Sequence, residues 1–167
     1  MPVRDQRIMK QVLVCAAAVS LASCQTATPV TTTTPQRSCS SAASVEAVSA
    51  TVRAFFAALA SDDEAALRRV TTPTFYAFDV GERFTGPELS KLISDAHKAG
   101  RILQWNVGPV DARVHCNTAF AAWENKGAAG TAGNLKPRAW LESALLVRNG
   151  DGWVIDFLHS TPKNPNK

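Results

Sequence analysis

Two side chains able to move a proton, Glu142 and His159, interrupt an otherwise apolar stretch, WLESALLVRNGDGWVIDFLHS, between Trp140 and Ser160. A carboxylate beside an imidazole favours the imidazolium, whereas burial favours the neutral ring, so such a pair titrates near neutral pH. Whether they meet depends on the fold of the stretch. It reads as two strands about a tight Asn149-Gly150-Asp151-Gly152 turn. With Gly150 and Asp151 at the turn, Leu146 faces Ile155, Ala144 faces Phe157, and Glu142 faces His159. Strand side chains alternate, so all six share one face with Trp153. That face is expected to line a pocket, with Glu142 and His159 as its chemical groups and Phe157 among its walls. The plainer alternative is a histidine satisfied by a cross-strand glutamate at the rim, and a three-residue turn would separate the two.

The opposite face of the same hairpin carries Leu141, Leu145, Val147, Val154 and Leu158. An apolar patch of that size needs a partner.

The elements that must hold this hairpin follow from periodicity. Val45, Val48, Val52, Phe55, Phe56 and Leu59 recur at helical spacing. Ser61 with Glu64 reads as a capping box opening a second short helix through Val70. Thr74 to Val80 is β-prone, and Gly81 to Phe84 turns into a short second strand. A third helix opens at Gly86-Pro87, presents Leu89, Leu92, Ile93 and Ala96, and stops at Gly100. Four strands follow, over Ile102–Val114, Thr118–Gly127, Arg138–Arg148 and Trp153–Ser160, with a bulge or bend at Gly108-Pro109 and a flexible connection over Gly127–Gly133. Helices first and strands afterwards predict an α+β fold with an antiparallel meander.

The chain of 167 residues is long enough for one domain plus appendages. Arg4, Arg7 and Lys10 precede an apolar run from Val12 to Leu21, which has the shape of a secretory signal and is too short for a spanning helix. The run ends Leu21-Ala22-Ser23-Cys24, which resembles the bacterial lipobox. That resemblance implies removal of residues 1–23, acylation of Cys24 and, with Gln25 next, attachment in the cell envelope on the periplasmic face of the outer membrane. Residues 24–44 are rich in Thr, Ser, Pro and Ala and read as a tether, 45–162 as the folded domain, and 163–167 as a disordered tail.

Loss of Arg4, Arg7, Lys10 and Asp5 with the signal lowers the net charge from +4 by two. So mild a charge, without an arginine-rich stripe, excludes nucleic acid as a partner. Cys39 and Cys116 are the cysteines left over; in an oxidising compartment they either pair or stay as two thiols. His97 and His115 read as exposed and lack metal-ligand spacing, so no metal is expected, and no sequence signature calls for a cofactor.

Phe75-Tyr76-Ala77-Phe78-Asp79 with Gly81 and Gly86, and Gly152-Trp153-Val154-Ile155 running to His159-Ser160, together with this element order, resemble the nuclear transport factor 2-like superfamily over roughly Val45 to Pro162. The superfamily includes steroid isomerase-like and SnoaL-like domains. The resemblance implies a cone-shaped curved sheet wrapped around three N-terminal helices, with a pocket inside, and often a homodimer through the outer sheet face. It also points to the first hairpin, where Tyr76 and Asp79 have opposite parity, so only one faces the pocket without a bulge. The first helix offers Phe55 and Phe56 where steroid isomerase-like enzymes have a tyrosine, which argues against carrying their mechanism over whole. Trp105, Trp123 and Trp140 are expected to line the pocket, with Asn125 and Gln104 as hydrogen-bonding groups, although each tryptophan also suits a plain core. The reading is therefore a lipid-anchored binder of a small, largely apolar molecule. The alternatives are an isomerase- or dehydratase-type enzyme using His159, Glu142 and Asp79, and an assembly module without a ligand.

Overall fold

The apolar stripe of the first segment forms α1 (Ala42–Ala60), which buries Val48, Val52, Phe55, Phe56 and Leu59 against the sheet. The computed structural model describes residues 42–163. Short α2 (Glu64–Arg69) follows, and its cap is Asp63 rather than Ser61. The Asp63 carboxylate accepts from the Ala66 N–H at 2.8 Å, while Ser61 lies at the end of α1 and donates its hydroxyl back to Ala57 O. The capping box belongs instead to α3 (Gly86–Lys98), where Thr85 N and Oγ1 both donate to Glu88 Oε2 at 2.8 Å. Gly100, at φ +77°, closes that helix with its N–H on His97 O.

β1 (Thr71–Asp79) and β2 (Glu82–Thr85) form the first hairpin, and β3 (Arg101–Val107), β4 (Asp111–His115), β5 (Thr118–Thr131), β6 (Asn134–Asn149) and β7 (Gly152–Pro162) complete the set. The sheet order is β2-β1-β7-β6-β5-β3, with β4 also paired to β5. The α+β architecture is as expected, a curved open sheet with three helices. One pair departs from a pure meander: β1 runs parallel to β7. The single long strand expected over 102–114 is divided at Gly108-Pro109, and both pieces pair with β5.

Residues 127–133 are not a flexible connection. β5 continues to Thr131 and meets β6 through a two-residue turn at Ala132 and Gly133. Glycine is required within this run by crowding, because a Cβ on Gly127 would sit 1.8 Å from Gln104 O.

The last hairpin decides where the chemical groups point. Its turn is the two-residue one, with Asn149 opposite Gly152, and the pairing runs as expected to Leu146 opposite Ile155. There a bulge at Asp156 adds one residue, so Leu145 faces Phe157, Ser143 faces His159, and Glu142 faces Ser160. The β1 side is irregular at the same level, between Thr71 and Tyr76. Pro73, which has no N–H for the ladder, lies in that gap, and Thr72 donates to Asp156 Oδ1 at 2.7 Å. Beyond the bulge every β7 side chain changes face. Leu158 is buried in the core rather than turned outward, and His159 is exposed.

Among the described residues, no helix is long and apolar enough to cross a membrane. Cys116 is disulfide-bonded. Cys24, Cys39 and the signal and tether assignments before residue 42 lie outside the described residues.

Candidate functional site

Within the concave side of the sheet is a cavity of about 300 Å³. Phe55 and Phe56 of α1, Leu89 and Ile93 of α3, Trp105 of β3 and Trp140 of β6 supply its apolar wall. Three polar groups converge from adjacent strands: Asp79 at the end of β1, Ser160 on β7, and Glu142 on β6.

Glu142 is buried. Its Oε1 accepts from Ser160 Oγ and its Oε2 from Asn125 Nδ2, each at 3.2 Å. Burial pushes its pKa up from the ordinary 4.5 to about 7. The Asn125 amide and Ser160 hydroxyl pull the other way, as does the Trp123 indole, although its buried N–H lacks hydrogen-bond geometry to any partner; the nearby charge of Asp79 adds to the rise. Asp79 is half-buried and raised by the same desolvation, opposed by the Val80 N–H at 2.9 Å, by Ser160 and by His159. Two carboxyl groups therefore share an apolar cavity, and the charge of Asp79 makes Glu142 harder to ionise. Such a pair holds one neutral acid, able to donate a hydrogen bond, beside one carboxylate able to accept a proton.

A larger groove of about 420 Å³ runs over α2, β1 and the start of α3, past Arg68, Thr72 and Thr85. No buried titratable group lines it, so its size does not make it the better candidate. Among the described residues, no cluster of three or more metal-ligating side chains occurs.

No family model matches the chain, and no curated protein does. Solved structures do. A ketosteroid isomerase-like protein from Erwinia carotovora atroseptica is 17% identical, with a TM-score of 0.60 over 72% of this chain and 97% of that one. A candidate dehydratase of the nuclear transport factor 2-like family from Streptomyces avermitilis is 20% identical, with a TM-score of 0.61 over 72% and 96%. A CaMKII hub from S. rosetta is 18% identical, with a TM-score of 0.60 over 71% and 96%. The domain has the nuclear transport factor 2-like fold.

On this fold the expected site residues separate into three groups. Glu142, Asp79, Trp105 and Trp140 line the cavity. Asn125 is fully buried behind Glu142, and Trp123 packs edge-on against Phe56 in the core. Neither of these two is part of the cavity lining.

His159, Tyr76 and Phe157 are on the other side of the nuclear transport factor 2-like sheet. The expected Glu142–His159 pair does not form, because the Asp156 bulge turns His159 outward. Its ring stands edge-on to Phe78 at 6.1 Å, with Nε2 3.3 Å from Thr161 Oγ1. Tyr76 and Phe157 meet with their rings tilted and their centroids 5.0 Å apart, and Arg83 lies 4.3 Å over the Tyr76 ring. His97 is also not simply exposed: its Nδ1 lies 2.9 Å from Asp62 Oδ1.

Sequence reasoning missed Ser160 and Arg101, both of which line the cavity. Ser160 was within reach, being one residue past His159 and of opposite parity. Arg101 required knowing that β3 begins there and alternates with Leu103 and Trp105.

Proposed function

We propose that this chain is an exported lipoprotein, anchored through Cys24, whose cavity binds a small, largely apolar molecule carrying one polar group. The observation behind the reading is the cavity: aromatic and aliphatic walls closing on Asp79, Glu142 and Ser160, with the size and composition of a small-molecule site. Native mass spectrometry of the full chain, purified without detergent exchange, tests this by detecting a retained small molecule, and Trp140→Ala should lose it. The anchor is supported by the sequence from Leu21 to Cys24, and mass analysis of the mature amino terminus checks it.

A second reading is proton transfer of the isomerase or dehydratase type, favoured by the neutral-prone Glu142 beside Asp79. Asp79 would take a proton from carbon next to a substrate carbonyl, while protonated Glu142 donates a hydrogen bond to the carbonyl oxygen. Return of the proton to another carbon completes an isomerisation. His159 has no part in it.

The partner for the convex face is a second copy of the chain. Phe78, Phe120, Leu141 and Leu145 are exposed there, and the hub neighbour offers an assembling example of the fold.

A further inference from the structure

We infer that the molecule held in the cavity is an amphipathic anion, its charge lying against a basic collar at the mouth and its apolar body inside. The inference rests on the binding reading above and names the class of ligand.

The collar follows from strand register. Arg101, Leu103 and Trp105 alternate onto one face of β3, and all three line the cavity. On β6, Glu142 and Trp140 face the cavity, and the same alternation continues outward to Arg138 and Lys136. Between the two strands, β5 presents Gly127 and Ala129, with Thr131 beside Arg101: Trp105 pairs with Gly127 and Gly127 with Arg138, while Leu103 pairs with Ala129 and Ala129 with Lys136. No bulky side chain on β5 stands between β3 and β6 in these two rows; Arg101 pairs with Thr131 and Thr131 with Asn134, so Lys136 and Arg138 lie two and four residues along β6 from the Arg101 row, roughly 12 and 17 Å from it along the backbone at ordinary strand spacing.

Among the described residues, the side chains of Arg101, Lys136 and Arg138 make no hydrogen bond or ion pair. Lysines and arginines elsewhere do, as in Lys163 with Glu124 and Arg68 with Glu64. Three unpartnered cations at the edge of an apolar cavity form a positive potential suited to a carboxylate or phosphate. Asp79 and Glu142 line the same cavity as Arg101, and the three cations outnumber these two carboxyl groups. Leu92 and Val80, exposed and lining the same cavity, extend the apolar surface up to the collar.

Titration calorimetry of the full chain with octanoate, octyl phosphate and octanol tests this, since the three share a chain and differ in head group. Octanoate or octyl phosphate should bind about tenfold more tightly than octanol, the tighter of the two identifying the head group. That preference should shrink in high salt and vanish in the combined variant Arg101→Gln, Lys136→Gln, Arg138→Gln. Equal or tighter binding of octanol by the unaltered chain overturns the anion assignment and leaves the cavity a binding site. Failure of all three to bind overturns both. The salt series on the unaltered chain stands as a test even if the combined variant does not fold.

Discussion

Glu142 lies opposite Ser160 across the last hairpin and accepts its hydroxyl at 3.2 Å, whereas His159, one residue earlier, is on the other face of the sheet. This relationship assigns the acid to the cavity and removes the imidazole from it.

Glu142 should make the protein less stable as pH rises. With a folded value of about 7 against an ordinary 4.5, the native state holds this proton over an interval where the unfolded chain has lost it. The stabilisation is therefore complete below about 4.5, is lost as pH climbs through the interval, and is absent above about 7; its ceiling is roughly 3 kcal/mol. Asp79 contributes in the same direction. Urea midpoints from pH 4.5 to 8 for the unaltered chain and Glu142→Gln should diverge, with the variant relatively more stable at the alkaline end. Parallel profiles would mean that Glu142 is solvated.

Binding in the cavity should ignore His159. His159→Ala is expected to leave affinity for a ligand of the cavity within about twofold, while Ser160→Ala and Asp79→Asn, at residues that line the cavity, each change it several-fold. Calorimetry on the three variants checks this, and a large loss in His159→Ala would contradict the register.

The bulge is held from outside the hairpin. Asp156→Ala removes the acceptor of the 2.7 Å Thr72 hydrogen bond and should cost about 1–2 kcal/mol, read as a lower urea midpoint. An unchanged midpoint would show that the register shift is fixed by core packing alone.

The convex face should hold a second copy. The full chain is expected to sediment as a dimer, and Leu145→Arg, placed on an exposed outer position, should yield a folded monomer. A monomeric unaltered chain would remove this partner.

The reasons why some of this was legible in the sequence are local. Helical spacing from Val45 to Leu59 has one face to bury, and Asn149 to Gly152 specifies a two-residue turn, so α1 and the start of the last hairpin follow from residue types alone. Asp79 and Glu142 reach the cavity by simple alternation. The bulge was not legible within β7, because Asp156 points away from the core under either pairing. What decides it is a neighbour distant in sequence: Pro73 cannot donate to the ladder, and Thr72 reaches Asp156 across 84 positions. The slip also places Leu158 in the core and His159 in water, which favours burial of the apolar side chain over that of the polar one. The turn at Gly133 was hidden for a related reason, since glycines that read as flexibility are there because neighbouring strands approach too closely for a side chain.

The most direct test is a carbon-13 titration of the Glu142 side-chain carboxyl in the full chain, with and without a saturating apolar ligand. A midpoint near 7 that moves when the ligand is added is the predicted result. A midpoint in the ordinary carboxylate range, unmoved by ligand, would contradict a buried acid facing an apolar binding cavity.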